Sequence, residues 1–123
     1  MILLDTNALV WTLSHHARSK PLFAPPARLY VSPVALLELA YLVEVGRVRL
    51  TVPGGIERLS EDPRFTLDDP PMWPLFRAAF GLSWTRDPFD RLIVAHAASR
   101  RFRLATGDRH LLEHLPASAV VAL

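Results

Sequence analysis

Short apolar runs alternate in this chain with stretches that open like helices, and this alternation limits the architectures open to it. Met1-Ile2-Leu3-Leu4 ends on Asp5, Leu29-Tyr30-Val31 runs into Ser32-Pro33, and Phe102 to Ala105 leads through Thr106-Gly107 to Asp108. The three runs read as short buried strands, with a fourth at Ala119 to Leu123. Between them lie helix signals. Ser32 is a cap, Pro33 suits the first helical position, Leu36, Leu37, Ala40, Leu42 and Val43 supply an apolar face, and Gly46 is placed to end the helix. Asp87-Pro88-Phe89-Asp90 repeats the signal, with Asp90 where a capping box wants an acid, and that helix runs to about Arg101. A short helix is expected over Asp108 to His114. Pro53 to Leu59 and Pro71 to Phe80 carry weaker helical patterns, separated by the proline-containing stretch Glu61 to Pro70. Strands alternating with helices at this spacing imply βαβ units, hence an α/β fold with a parallel sheet.

Composition narrows the class further. At 123 residues, half of them hydrophobic, the chain is expected to be one domain over residues 1–123 with a core of its own. It has no cysteine, which excludes a disulfide framework and a thiolate metal site. No apolar stretch approaches the ~20 residues of a membrane span, and the N-terminus lacks the pattern of a signal peptide, so a cytoplasmic location is expected. The formal net charge of +2 does not by itself indicate nucleic acid. Lys20 is the only lysine and the other cations are arginines, whose planar fork suits phosphate and carboxylate. Genome base composition can produce the same bias.

Four acids stand at the ends of apolar segments: Asp5, Glu38, Asp90 and Asp108. In an open parallel sheet, sites form beyond the carboxyl ends of the strands. Asp5 and Asp108 follow strands directly. Glu38 lies one to two turns into its helix and Asp90 in the first turn of its own, so all four can face one cleft. Ionised carboxylates beside a core are costly unless paired, hydrogen-bonded or bound to a cation, so their convergence would call for a metal. Local roles compete with this reading. Asp87 before Pro88 is also an ordinary helix start, Asp90 can complete a capping box, and Asp108 and Asp5 can cap helices that follow them. Glu38 is hardest to explain locally, because its helix is apolar nearly all round.

The opening Leu3-Leu4-Asp5-Thr6-Asn7, the Ser32-Pro33 helix with Glu38, the string from Trp84 through Asp87-Pro88-Phe89-Asp90-Arg91 to Ala97, and Leu104-Ala105-Thr106-Gly107-Asp108 together resemble a PIN domain. Within that family the chain is similar to VapC-type toxin ribonucleases of type II toxin-antitoxin systems. The resemblance covers nearly the whole chain. It implies a central parallel sheet of about four to five strands flanked by helices, and an endoribonuclease dependent on Mg²⁺ or Mn²⁺. Carried over by position, Asp5, Glu38, Asp90 and Asp108 are the catalytic metal ligands and Asp87 an auxiliary one, with Asn7 and Thr106 in support. A small antitoxin partner and a homodimer are also implied. The apolar residues between Trp11 and Phe23 and from Leu36 to Val45 are candidates for the partner surface.

Carboxylates suit this task because hard divalent ions prefer oxygen ligands and activate water for in-line attack on a phosphodiester. Arg86 and Arg91, with Arg109, are the cations nearest the motifs, and Arg86 and Arg91 are the candidate RNA contacts; Trp11 or Trp84 could stack bases. Surface ion pairs are the alternative for each arginine. His110 and His114 have a zinc-compatible spacing but no evident third ligand, and His15, His16 and His96 read as surface or helix-packing residues. Two other classes remain open. A haloacid-dehalogenase-like phosphatase also begins with Asp after a strand, but needs an acid where this chain has Asn7. A non-catalytic PIN-fold binding module would keep the acids without the activity.

Overall fold

The structure is a computed structural model describing residues 1–25 and 27–123. Five parallel strands, β1 (Ile2–Leu4), β2 (Leu29–Val31), β3 (Thr66–Leu67), β4 (Arg103–Thr106) and β5 (Val120–Ala122), form one sheet in the order β3-β2-β1-β4-β5. The helices are α1 (Thr6–Leu13), α2 (Pro33–Glu44), α3 (Met72–Phe80), α4 (Pro88–Arg100) and α5 (Arg109–His114). Leu3 pairs with Tyr30 on one side and Leu104 on the other, so β1 is the central strand. Its residues are apolar throughout because both faces are covered: Leu3, Leu4 and Leu104 are at most 1% exposed. Leu9 of α1, Leu39 of α2, Ile93 of α4 and Leu111 of α5 complete the same core.

The order carries a positional consequence. From β1 the chain crosses to β2 and β3 on one flank, then to β4 and β5 on the other, so the topology reverses between β1 and β4. Crevices open at the carboxyl ends of strands at such a reversal. Asp5 extends β1 there, its amide donating to the Ala105 carbonyl at 3.1 Å.

Local chemistry explains most boundaries. The Ser32 hydroxyl accepts from Val34 N at 3.1 Å to start α2, and Gly46, with φ +77°, follows its end. The expected α2, α3, α4 and α5 are present within a residue or two of the sequence signals, and β4 lies one residue later than expected. Two regions differ. Over Pro53 to Leu59 the structure has a 3₁₀ segment at Ile56–Glu61 in place of an α-helix, because Gly54 and Gly55 hold positive φ of +78° and +91° and cannot serve as a helical first turn. The stretch Glu61 to Pro70 contains β3, a two-residue strand pairing Thr66 with Tyr30 and Leu67 with Val31. Both its residues are exposed, so it lacks the apolar signal of a buried strand. A further 3₁₀ segment, Ala17–Phe23, follows α1; Pro21 inside it removes a backbone donor that an α-helix would use.

His96 departs from the surface alternative considered for it. It is fully buried, and its Nε2 lies 2.7 Å from Asp68 Oδ2, to which Arg100 Nε also donates at 2.8 Å. Asp68 stands just past β3, so this cluster ties the short edge strand to α4.

Candidate active site

Of the helices that begin at the carboxyl end of the sheet, three are capped by an acid. Asp5 accepts through Oδ1 from Ala8 N at 2.8 Å at the head of α1. Asp87 does so from Phe89 N at 2.8 Å and Asp90 N at 3.3 Å for α4. Asp108 caps α5, accepting from His110 N at 2.8 Å and Leu111 N at 3.4 Å. In every case one oxygen takes the backbone donors, leaving the second without a backbone partner. Asp90 sits half-buried in the first turn of α4. Glu38 comes from the middle of α2, and one carboxylate oxygen accepts from the Thr6 hydroxyl.

These acids share one cavity of about 330 Å³, lined by Asp5, Glu38, Asp87, Asp90 and Asp108 together with Thr6 and Asn7. Leu42 and Val48 form its apolar wall, and Arg47 contributes its one basic residue. Thr106 lies fully buried behind Asp5, its hydroxyl accepting from Asp108 N at 3.0 Å. A slightly larger cavity of about 390 Å³ opens between Leu50–Pro53 and Arg58–Arg64. Its charges are already matched, Arg58 to Glu61 at 2.9 Å and Arg64 to Asp62 at 2.8 Å, so it offers no cluster of uncompensated charge.

Electrostatics separates the acid cavity from an ordinary polar cleft. Burial pushes the Asp5 carboxyl up to about 6; the Thr106 hydroxyl and the Ala8 amide oppose this, while Glu38 and Asp108 add to it. Asp90 is raised to about 7, by burial first and then by the charges of Asp87, Glu38, Asp108 and Asp5. Glu38 is also raised, by burial and by Asp87, with the Thr6 hydroxyl opposing. The carboxyls thus repel one another across a shared space, and a bound cation relieves that repulsion. Among the described residues, no three acid or histidine side chains stand close enough to close on an ion directly. The acids ring the cavity. An all-oxygen donor set around a space with room for water matches a hard divalent ion, which keeps several waters when protein carboxylates bind it.

Residues 2–116 match the PIN domain family. Ribonuclease VapC22 of Mycobacterium tuberculosis is 31% identical over 119 residues, covering 92% of this chain and 91% of that protein. The chain belongs to the PIN domain family. Solved structures share the fold at lower identity. A toxin-antitoxin complex from Klebsiella pneumoniae superposes with a TM-score of 0.71 at 19% identity, covering 99% of this chain and 97% of that one. VapBC2 from Rickettsia felis, bound to a DNA fragment from its promoter, also gives 0.71, at 20% identity and 100% and 99% coverage. The order β3-β2-β1-β4-β5 is therefore the PIN sheet of this chain, and the acid cavity lies at its point of reversal.

Within this PIN domain the structure brings Asp5, Asn7, Glu38, Asp87, Asp90 and Asp108 to one cavity, with Thr106 beneath. It does not bring Arg86 or Arg91 to that lining. Arg86 is exposed, and Arg91 Nε donates to the Thr85 carbonyl at 2.8 Å, bracing the turn before Asp87. The aromatic candidates are partly engaged. Arg18 lies 4.2 Å over the Trp11 ring, and Trp84 stacks on His114 at 4.7 Å with planes 3° apart. His110 and His114 join that stack, with one nitrogen of each against a backbone carbonyl, Trp84 O and His110 O respectively. Two polar lining residues had no role assigned from the sequence: Thr6, although it stands inside the Asp5-Thr6-Asn7 motif, and Arg47, immediately after Gly46.

Proposed function

We propose that this PIN domain is a divalent-cation-dependent endoribonuclease of the VapC kind, held inactive by a cognate antitoxin. The observation that carries the reading is the set of mutually repelling carboxyls in one cavity at the sheet reversal, with Asp5 raised to about 6 and Asp90 to about 7. The 31% identity to a protein named as a ribonuclease supports the choice of RNA.

In this reading Asp5, Glu38, Asp90 and Asp108 hold Mg²⁺ or Mn²⁺, and Asp87 is an auxiliary ligand. When bound, the ion supplies Lewis-acid stabilisation of the phosphodiester and lowers the pKa of water at the site. The protein's part is positioning. The Thr6 hydroxyl fixes one oxygen of Glu38, a residue that lines the cavity. Asn7, exposed at the rim in the first turn of α1, orients a carboxylate or the scissile phosphate. Thr106 stabilises the ionised form of Asp5 and fixes the Asp108 amide. In-line attack by water leaves a 5′-phosphate and a 3′-hydroxyl. A histidine-based ribonuclease would leave a cyclic phosphate, and none of the five histidines lines the cavity.

The partner part of the proposal rests on exposed apolar faces. Leu37 and Tyr41 of α2 and Val45 at its end recur every four residues and are 63, 47 and 47% exposed, a stripe suited to an antitoxin segment. On α3, Met72, Trp73 and Phe80 are 71, 60 and 64% exposed, a second face suited to a homodimer. Among the described residues no helix is long and apolar enough to cross a membrane; a toxin of this kind acts in the cytoplasm.

Purified protein incubated with an RNA pool should cleave it in Mg²⁺ or Mn²⁺, not in EDTA, and Asp5→Asn or Asp90→Asn should abolish cleavage while remaining folded. Metal-independent cleavage, or full activity in both variants, would overturn the proposal.

A further inference from the structure

We infer that Arg47 is the phosphate-gripping residue of the acid cavity, a contact to the RNA backbone at the point of cleavage. The inference rests on the ribonuclease reading above and adds a residue that neither motif nor family likeness marks.

Arg47 is the one basic side chain lining a cavity that carries five acids. An arginine so placed would ordinarily pair with a carboxylate. It does not: among the described residues it makes neither a salt bridge nor a side-chain hydrogen bond. The environment of the acids agrees, since the influences on Asp5, Glu38 and Asp90 are burial, neighbouring acids and local hydrogen bonds, with no cation drawing any of them down. Arg47 thus lines the cavity from an exposed position and leaves the carboxylates unclaimed.

Its anchor is fixed. The Arg47 amide donates to the Leu42 carbonyl at 2.9 Å and the Val48 amide to the same oxygen at 3.2 Å, closing the end of α2. Gly46 makes the turn with φ +77°, and Val48 packs against the core. A long side chain on a braced stem, within reach of a ring of acids yet unpaired, is arranged for an anionic ligand that enters with the cation. A phosphodiester is such a ligand, and the arginine fork meets two of its oxygens at once. Arg86 and Arg91, outside the lining, do not meet this description.

The test compares wild type, Arg47→Ala, Arg47→Lys and Arg47→Gln on a defined single-stranded RNA in Mn²⁺, measuring kcat, KM and the salt dependence of kcat/KM. A lost charged hydrogen bond corresponds to a fall in kcat/KM of about tenfold to a hundredfold. The log–log salt slope should become shallower by about 0.7, the value for one phosphate contact on a single strand. Arg47→Lys should restore the slope and part of the rate, and Arg47→Gln neither. Wild-type cleavage with an unchanged slope in Arg47→Ala and Arg47→Gln overturns the role of Arg47 alone. Absence of wild-type cleavage overturns the ribonuclease reading. A lower rate with wild-type slope in all three variants assigns Arg47 to folding of the α2 end and rejects the phosphate contact.

Discussion

Replacing Gly107 by alanine tests whether the turn carrying Asp108 is held by side-chain packing. Gly107 lies between Thr106, which supports Asp5, and Asp108, which caps α5. A Cβ there would stand 2.6 Å from Trp11 Cη2, 2.9 Å from Trp11 Cζ3 and 2.7 Å from Arg18 Nη2. Its φ is not in the left-handed range, so the requirement for glycine comes from close approach and not from backbone strain. The two neighbours differ in how far they can give way. Arg18 is the end of a flexible side chain, though moving it sacrifices its stacking at 4.2 Å on Trp11 and its 2.7 Å bond to the Leu123 carbonyl. The indole cannot bend away, so the turn itself must shift. Overpacking of this kind costs about 1–3 kcal/mol, and the exposed cation–π contact adds roughly 0.5–1 kcal/mol if it is lost. For a chain of this size each kcal/mol lowers Tm by roughly 4 °C. Thermal melts in EDTA of wild type, Gly107→Ala, Trp11→Ala and the double variant form the assay. Gly107→Ala should cost little once Trp11 is gone, giving a coupling of about 1 kcal/mol or more. Strictly additive losses would refute the close-approach argument, because then Gly107 would be required for a reason unrelated to Trp11.

Three further outcomes follow from the same coordinates. Asp5 and Asp90 are raised to about 6 and about 7, so in the metal-free fold they bind protons that the unfolded chain releases near pH 4; stability in EDTA should fall as pH rises from about 4 through 7, and the fall should be shallower in Asp90→Asn, whereas a wild-type profile flat or rising over that window would contradict the repulsion. Asp68→Ala leaves the buried His96 Nε2–H without its acceptor and should destabilise by about 1–3 kcal/mol, while Arg100→Ala, on the exposed arm of the same cluster, should cost at most about 1 kcal/mol; urea titrations giving equal losses would remove the distinction between the two arms. Asp87→Asn keeps the cap, because asparagine caps as well as aspartate, so it should fold like wild type, and loss of RNA cleavage in it would mark Asp87 as a ligand, whereas retained cleavage would leave it a cap alone.

The sequence signals worked best where the fold depends on local chemistry. Ser32-Pro33 and Asp87-Pro88 marked the starts of α2 and α4 because caps and first-turn prolines act within a few residues. They failed where structure depends on distant partners. β3 is exposed and two residues long, and it exists because Val31 and Tyr30 are beside it. With β3 unread, Asp68 had no address, and its pairing with His96 at a separation of 28 residues could not be anticipated. The carboxylates were legible because a charge at the end of an apolar run is conspicuous. Arg47 was not, since an arginine after a helix-ending glycine is ordinary in sequence and becomes notable only when the fold brings it to the lining of a cavity whose acids it does not pair with.

Capping and ion binding looked like rival explanations of these aspartates, but the geometry makes them compatible. Each capping aspartate spends one oxygen on backbone amides and keeps the other without a backbone donor. The cap fixes the carboxylate's rotamer, and the helix start places partial positive charge behind it, which lowers the cost of holding several anions together. Asp5, Asp87 and Asp108 therefore arrive at the cavity already oriented by the helices they begin. Asp90 is the exception: it caps nothing, and among the described residues its carboxylate has no hydrogen-bond donor. It is raised to about 7, by burial first and then by the four neighbouring acids, and no hydrogen bond opposes them as the Thr106 and Ala8 bonds do at Asp5. The same arrangement explains why the cavity forms where the sheet reverses. Only there do α1 and α5 start from adjacent strands, β1 and β4, so that two capping acids face one another across a single crevice.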